Sequence, residues 1–528
     1  MDNKYDVVVI GGGHNGLVNA AYLARAGKKV LVVERRHVLG GAAVTEEVFP
    51  GFKFSVCSYV VSLLRPEIIR ELDLPRHGLE ILPLDGTFTP MLDGDYLWRV
   101  NDHAKTRREI ARHSKLDAEA YDEYGKAMVE MAHFVKPIMS MTPPDPTSLN
   151  PKGLLDLLTM GRRFQRLPDE DKYNQVQLMT MSAVDFLDQW FETDVLKATM
   201  SASGIIGTFL GVRSPGTAYV LLHHYMGEID GAFRSWGLAR GGTGAISNAI
   251  ADAAREAGAE IRAEAPITRI LVKNGEARGV VLANGDEIYA EVISSSVDPR
   301  LTFSKMVGDE HLPSDFVDDL KRYKYRGSSG KVNLALGGLP DLRALPGRGS
   351  HLRGAISISP SIDYMERAYD EAKYGRVSSA PLLDATLPTV LDPSLAPPGM
   401  HLMQINVQFT PYPLVEGDWE EQRGALGETV VATLERYAPG FRDLITVCHV
   451  QTPEDLEQRF GLPGGDIFHG QMGLDQLLVM RPVPGCARYE TPVERLFLCG
   501  AGSHPGGGIT GAPGYNAARE TTRFLRRT

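Results

Sequence analysis

Two short apolar runs flank one helical stretch at the start of the chain. Residues 6–10 are rich in β-branched side chains, as a buried parallel strand should be, and residues 29–33 repeat that pattern. Between them, Ala and Leu recur at packing positions over residues 17–26, and Gly27 ends the stretch. The pattern predicts a β-α-β unit.

Segments of the same character return far along the chain. Gly241, Gly242 and Gly244 precede a second amphipathic stretch, and the last fifty residues contain an apolar run followed by a glycine-rich turn. These segments predict further helices and strands of the domain that begins with this β-α-β unit. They are helices over 245–256 and 515–526 and strands over 267–273, 279–283, 287–293 and 496–499.

The two blocks between these segments differ in composition. Residues 102–200 predict helices with a proline-rich break over 136–152, and residues 300–455 mix strands with helices. We predict an α/β fold in which a Rossmann-like nucleotide-binding domain is assembled from three separated segments, with an inserted mixed α+β substrate domain. The predicted boundaries are 1–70, 236–298 and 457–528 for the first domain and 71–235 and 299–456 for the second.

Composition disfavours several classes of protein. The 56 Lys and Arg against 66 Asp and Glu give a net charge of −10, so no nucleic-acid partner is expected. Four cysteines without a C-x-x-C pair disfavour a zinc ribbon, a disulfide scaffold and a thiol redox centre, and no metal site is predicted. No signal, transit or transmembrane segment is recognisable, so we expect a cytoplasmic protein, with the mitochondrial matrix left open for a eukaryotic relative.

The turn after the first strand carries a dinucleotide-binding fingerprint. Gly11 permits the tight turn, Gly13 lets the backbone approach a pyrophosphate, and Gly16 lets helix and strand pack closely. The helix N-terminus offers N–H groups to the phosphates, and Glu34 at the end of the second strand can accept hydrogen bonds from a ribose. The residues predicted at a cofactor here are Gly11, Gly13, His14, Asn15, Gly16 and Glu34.

The choice between FAD and NAD depends on the residues around and after Glu34. An acid at this position argues against NADP, although Arg35 comes directly after it. A second glycine pair at 40–41 places backbone amides beside the same pyrophosphate, which favours a permanently held cofactor, FAD; an ordinary loop turn is the alternative. Arg35, Gly40, Gly41 and Ala42 join the predicted cofactor set.

A glycine-rich segment over 500–514 lies between the last predicted strand and the last helix. Its backbone offers a surface with few side chains, against which a flat ring system could lie. The start of the following helix would direct its positive end at that ring and stabilise the negative charge of a reduced flavin.

Together these motifs resemble the phytoene-desaturase branch of the FAD-dependent amine-oxidase-like superfamily. Segments 408–412, 460–469 and 504–508 most resemble its pyridine nucleotide-disulfide oxidoreductase domain-containing protein 2 group. The resemblance implies FAD, a backbone contact from Ile267 to the adenine, and a ring and ribityl surface formed by the C-terminal segment. The positions it implies at that surface are Gly500, Gly502, Gly508, Ile509, Thr510 and Gly511.

Two features depart from these relatives. The arginine common after the second glycine pair is Ala42 here. Disulfide reduction, which the group's name suggests, would need a cysteine pair beside the flavin and a second nucleotide fingerprint. The chain has no such pair, and the segment from Gly242 fails at its third glycine. We therefore reject disulfide reduction.

Candidate catalytic side chains are few, because a flavin dehydrogenase mainly binds and orients its substrate. His504, in the glycine-rich segment that would face the flavin, is the candidate catalytic residue because the pKa of histidine is naturally near neutrality, and a turn-stabilising role is its alternative. His469 is a weaker candidate. His223, His224 and Tyr225 are expected in the core or in a cavity wall.

The predicted activity is desaturation, saturation or isomerisation at carbon–carbon bonds of an apolar substrate, isoprenoid or lipid-like. Amine oxidation is the first alternative, although the C-terminal segment offers only Tyr515 for an aromatic cage. A non-catalytic flavoprotein that acts through a protein partner is the second. The apolar runs at 204–210 and 477–480 leave peripheral membrane contact open, and a homodimer is the expectation from base rates.

Overall fold

Three separated parts of the chain build one sheet in the computed structural model, which describes residues 4–147, 151–229 and 231–527. The strands of these described residues are β1 (Lys4–Ile10), β2 (Val30–Val33), β3 (Thr45–Phe49), β4 (Phe52–Ser55), β5 (Ile81–Pro83), β6 (Gly86–Pro90), β7 (Tyr96–Val100), β8 (Glu228–Ile229), β9 (Ala232–Phe233), β10 (Gly237–Ala239), β11 (Glu260–Arg262), β12 (Ile267–Lys273), β13 (Glu276–Leu282), β14 (Glu287–Ser295), β15 (Ser329–Leu336), β16 (Ala355–Ile358), β17 (Leu382–Thr386), β18 (His401–Gln408), β19 (Ile445–Gln451) and β20 (Leu496–Leu498).

The α-helices of the same residues surround two large sheets. They are α1 (His14–Arg25), α2 (Pro66–Glu71), α3 (His103–His113), α4 (Lys115–Met139), α5 (Pro151–Gln165), α6 (Asp169–Thr180), α7 (Ala183–Asp188), α8 (Asp194–Ser201), α9 (Thr217–Tyr225), α10 (Gly244–Glu256), α11 (Ser314–Arg322), α12 (Ile362–Lys373), α13 (Trp419–Tyr437), α14 (Phe441–Leu444), α15 (Pro453–Phe460) and α16 (Ala512–Leu525). None of these helices is long and apolar enough to cross a bilayer.

The first sheet has the order β11-β2-β1-β14-β13-β12, with β20 beside β14. Its centre is parallel, because β1 pairs in parallel with both β2 and β14, and β20 pairs in parallel with β14. Val7 and Val9 pack on the side of α1 and α10, whereas Val8 and Ile10 pack in a separate cluster on the other face. Both faces of β1 are thus covered, which explains the uninterrupted apolar run at residues 7–10. The Rossmann-like fold class predicted from three segments is confirmed.

Helices α1 and α16 approach each other closely beside this sheet. A Cβ atom on Gly514 would lie 2.1 Å from the Asn15 carbonyl oxygen, so only glycine fits there. The Asn19 side-chain amide donates to the Gly514 carbonyl at 3.1 Å. This packing brings the N-termini of two helices from opposite ends of the chain to the same edge of the sheet.

The second sheet has the order β19-β15-β18-β17-β16-β6-β7. Its apolar face packs against α13, where Trp419, Val430 and Leu434 are buried. The opposite face carries polar side chains, among them Lys331 and Asp384, and it turns toward the first domain. A helical cluster formed mainly by α4 and α6–α9 covers the remaining side.

The predicted proline-rich break over 136–152 begins too early. Helix α4 continues through Pro137 to Met139, although a proline there removes one backbone hydrogen bond. Tertiary contacts hold this last turn, since Ile138 and Met139 are buried and their carbonyls accept hydrogen bonds from His504 and Asn516. Residues 148–150 of the predicted break lie outside the described residues. The predicted helices and strands of the first domain are otherwise confirmed, with ends that shift by at most three residues.

Candidate active site

The turn between β1 and α1 holds the three glycines of the fingerprint in different surroundings. Gly11 has a φ of 92°, which favours glycine, and it packs against Ser296. A Cβ on Gly16 would lie 2.3 Å from the Gly11 carbonyl oxygen, so Gly16 is required by packing. A Cβ on Gly13 would meet nothing closer than 4.0 Å. Gly13 therefore leaves open space beside the backbone.

The second glycine pair lies directly beside that space. The Gly40 amide donates to the Gly12 carbonyl at 2.8 Å, and Gly13 and Gly40 form an isolated parallel bridge. A Cβ on Gly41 would lie 3.3 Å from the Gly13 Cα. Two stretches of backbone without side chains therefore face each other where the sequence predicts a pyrophosphate.

Glu34 directly follows β2, at the far side of this turn. Its carboxylate accepts hydrogen bonds from the Gly12 amide at 2.7 Å and the Arg36 amide at 2.9 Å. A carboxylate offers about four acceptor positions, so about two remain for another donor. The Ala265 amide donates to the Glu34 carbonyl, and Ile267 begins β12 two residues later. The structure thus places Ile267 near Glu34.

Arg35 and Ala42 are placed differently from the rest of the predicted set. The exposed Arg35 guanidinium donates to the Arg459 carbonyl at 2.8 Å, at the C-terminal end of α15, and so points away from the glycines. Ala42 lines the large cavity between the two domains, and its carbonyl accepts from the Ser58 amide. Because position 42 carries Ala and not the larger arginine, room is left on the cavity side.

Helices α1 and α16 both begin without a side-chain cap at the N-cap residue. The first residues of α1 are buried and incompletely paired, since His14 Nε2 and Asn15 Oδ1 have no hydrogen-bond partner among the described residues. Burial lowers the pKa of His14 to about 4. The uncapped N-termini leave backbone N–H groups and the positive ends of two helix dipoles available to an anion.

The glycine-rich segment runs from β20 to α16. Gly500 packs on the Ser296 backbone and Gly502 on the Pro299 ring, both in the segment that follows β14. Gly508 and Ile509 line the cavity. The Thr510 hydroxyl accepts from the Ala512 amide at 3.1 Å, and Gly511 is the N-cap residue of α16.

Arg481 holds this segment in place and was not identified from the sequence. The side chain is completely buried and donates to the carbonyls of Phe468 at 2.5 Å, Ala501 at 2.8 Å and Gly470 at 3.2 Å. It also reaches the Gln476 carbonyl at 3.4 Å. One guanidinium therefore joins loop 468–470 to the glycine-rich segment. No local pattern around Arg481 indicates this role.

The histidines near the segment are buried and neutral. His504 Nε2 bonds to the Ile138 carbonyl at 2.9 Å, burial lowers its pKa to about 4, and the ring does not line the cavity. His469 does line it, and its Nδ1 has no described partner. Burial lowers the pKa values of His469 and His223 to about 3. His224 and Tyr225, expected in the core or in a wall, line the cavity, whereas Tyr515 stacks edge-on against Tyr22.

A cavity of about 320 Å³ connects the two domains. Ala42, Ala501 and Gly507–Ile509 lie at one end, and the polar face of the second sheet forms its floor. Many remaining walls are apolar side chains, such as Leu63, Leu221 and Phe468. A site of this size and lining suits an apolar organic ligand.

A polar cluster that was not identified from the sequence lies on the cavity floor. Lys331 Nζ donates to the carbonyls of Ser55 at 2.6 Å and Cys57 at 2.9 Å, and burial lowers its pKa to about 7. The Tyr59 hydroxyl donates to Asp384 Oδ2 at 2.5 Å, and burial raises the pKa of Asp384 to about 6. One sequence signal could have indicated this cluster: Lys331 and Asp384 are charged residues within mostly apolar strands.

All four cysteines are free thiols. Cys57 alone among them lines the cavity, and burial raises its pKa to about 11, which keeps it protonated near neutral pH. A thiolate nucleophile is therefore not provided there.

Comparison with known proteins places the chain among oxidoreductases. Residues 9–70 match the model of a family described as NAD(P)-binding Rossmann-like domain. The chain is similar to pyridine nucleotide-disulfide oxidoreductase domain-containing protein 2 of Mus musculus, at 41% identity over 99% of this chain and 94% of that protein. It is similar to a limonene dehydrogenase subunit of Castellaniella defragrans at 29% identity, over 98% of this chain and 95% of that protein.

The fold has a counterpart among solved structures. The structure of an oxidoreductase from Methanosarcina mazei covers 98% of this chain and 100% of its own, with a TM-score of 0.59 at 18% identity. At this level of sequence identity, the likeness shows a shared fold alone.

Proposed function

We propose, from the fact that the chain belongs to the family of pyridine nucleotide-disulfide oxidoreductase domain-containing protein 2, that it is an FAD-dependent oxidoreductase acting on carbon–carbon bonds of an apolar substrate. The observation that carries the proposal is the cavity that meets the glycine-rich segment at one end and has many apolar walls. The similarity to a limonene dehydrogenase subunit supports dehydrogenation of an apolar molecule.

The described residues fit FAD. The gap between Gly13 and Gly41 is a cradle that side chains would fill, and the Glu34 carboxylate keeps acceptor positions for ribose hydroxyls. Two buried ring nitrogens have no hydrogen-bond partner among the described residues: His14 Nε2, beside this cradle, and His469 Nδ1, in the cavity wall. The α1 N-terminus would hold the pyrophosphate, and the glycine-rich segment would hold the ring. FAD, when bound there, supplies a two-electron acceptor for hydride.

Desaturation of a carbon–carbon bond also releases a proton, and Lys331 is the side chain placed to accept it. Burial lowers the pKa of Lys331 to about 7, so that the neutral amine is accessible near neutral pH. Its two carbonyl partners, at Ser55 and Cys57, orient Nζ on the cavity floor. The apolar walls exclude water and align the substrate chain over this amine.

Disulfide reduction has no support in this site. The cavity offers Cys57 alone, a protonated thiol without a cysteine partner among the four free thiols. The family name therefore describes sequence kinship and not the chemistry proposed here.

The test is the absorption spectrum of the purified protein before and after anaerobic addition of polyenes and unsaturated or saturated lipids. We expect oxidised-flavin bands that bleach with one of these compounds. K331M should keep the bands but bleach about 10²- to 10⁴-fold more slowly, the range of general acid–base effects. K321M, at an exposed lysine on α11, is the matched control.

Other outcomes would redirect the proposal. A colourless protein that takes up no added FAD would refute the cofactor. Bleaching by polar amines alone would favour amine oxidation. Bands that no small molecule bleaches, together with a recovered protein partner, would favour a non-catalytic flavoprotein.

A further inference from the structure

Two arginines line one part of the cavity without an acidic partner among the described residues. Arg99 lies on β7, and Arg234 follows β9. Within residues 4–147, 151–229 and 231–527, neither guanidinium forms an ion pair with a carboxylate. Buried positive charge without a counter-charge costs free energy, so such a pair indicates a ligand that supplies the negative charge.

Arg234 is held in a defined orientation. Its backbone amide donates to the Gly227 carbonyl at 2.7 Å. Its guanidinium lies 5.4 Å from the Tyr121 ring centre and 5.3 Å from that of Tyr225, and it donates to the Tyr121 hydroxyl at 2.5 Å. Aromatic stacking of this kind stabilises the cation without using all five of its N–H donors.

Arg99 and Tyr124 provide further unused donors. Arg99 Nε and the Tyr124 hydroxyl are both buried, and neither has a hydrogen-bond partner among the described residues. Both residues line the cavity. Burial, with the nearby charge of Arg234, lowers the pKa of Arg99. Guanidinium groups that donate and a hydroxyl that can donate suit an oxyanion.

Arg99 lies on β7, an edge strand of the second sheet, and Lys331 lies on β15, beside the opposite edge strand. In the strand register, Lys331 lies opposite Asn406, and Asn406 lies opposite Asp384. At the far edge of the sheet, Arg99 lies opposite Thr87. The register of β16 with its neighbours puts all these positions on one face. Five strand spacings of about 4.8 Å separate Lys331 from Arg99 across a flat sheet, or at most about 24 Å. An extended chain of about twenty single bonds spans that distance.

We propose that the substrate is a long apolar chain that ends in an oxyanion, a carboxylate or a phosphate, and that Arg99 and Arg234 bind this end group. The inference rests on the proposed function and names its substrate class. Binding of the end group fixes the register of the chain, so that the bond to be oxidised lies at the Lys331 end of the cavity.

Equilibrium binding of a fluorescent polyene fatty acid tests this. The FAD-loaded full chain is titrated with cis-parinaric acid and with its methyl ester. We expect the acid to bind about ten- to a hundredfold more tightly than the ester, the usual effect of one charged hydrogen-bonded pair. R99M and R234Q should remove most of this preference. R322M, an exposed arginine on α11, should keep it.

Displacement of the bound probe distinguishes the two sources of the oxyanion. Stronger competition by palmitate supports a carboxylate, and stronger competition by geranylgeranyl diphosphate supports a phosphate. Equal binding of acid and ester by the wild type would overturn the inference, whatever the folding state of the variants.

Flavin bleaching separates this inference from the proposed function. A preference for the acid without bleaching by any chain would support the anion site and count against the proposed reaction. Bleaching by neutral polyenes with no preference for the acid would support the reaction and overturn the anion site.

Discussion

Replacing Lys331 with Met tests the charge state on the cavity floor. Lys331 is 3% exposed, and burial lowers its pKa from 10.5 to about 7. In the unfolded chain a lysine keeps its proton up to about pH 10.4. Between these values the unfolded state binds one proton more than the native state. The free energy of unfolding of the wild type therefore rises with pH, by about 1.4 kcal/mol per unit, and this contribution is absent from K331M.

The size of the effect follows from that slope. From about pH 7.5 to about pH 9.5 the wild type should gain roughly 3 kcal/mol relative to K331M. With an unfolding entropy of about 2.1 cal/mol/K per residue, the 528 residues give about 1.1 kcal/mol/K. The melting temperature of the wild type should therefore rise by roughly 2–3 °C relative to that of K331M over this range.

Thermal melting of FAD-loaded wild type, K331M and the surface control K321M across this pH range measures it. The control should follow the wild type. A difference between wild type and K331M that stays constant with pH would show that Lys331 does not exchange its proton near neutrality, and the proton-accepting role would fall with it.

Three further predictions concern the cofactor site. R481M leaves four buried carbonyls without their donor and should lower the melting temperature by at least ~4 °C, measured by thermal melting with excess FAD; a smaller change would contradict its proposed joining role. E34A should weaken FAD binding about ten- to a hundredfold in equilibrium dialysis, and unchanged affinity would remove Glu34 from the ribose. H504Q, which can still donate to the Ile138 carbonyl, should melt near the wild type, whereas H504L should melt ~1–3 °C lower. Equal melting of both variants would argue against a structural role for His504.

Several features of the first domain could be predicted from sequence because their causes are local. A strand buried on both faces must be apolar at every position, and residues 7–10 are. Gly11 and Gly16 stand where a side chain would strain or block the turn. The order of strand, glycine turn and helix then specifies a Rossmann-like unit without reference to the rest of the chain.

Predictions that depended on distant contacts were less complete. Helix α4 runs past Pro137 because its last carbonyls are bound by side chains near the C-terminus. His504 was the candidate catalytic residue, and the structure places its Nε2 against the Ile138 carbonyl. A catalytic role for His504 stays a prediction that this geometry does not favour.

The sequence by itself determined the fold class, the glycine turn between β1 and α1 and the acid that follows β2, because periodicity and glycine spacing encode backbone conformation directly. Only the tertiary structure decided which polar groups form the site. Lys331 meets the Ser55 carbonyl from 276 positions away, and Arg481 joins two loops that share no pattern. Burial and pairing of such groups depend on which segments folding brings together, and local sequence carries no record of that.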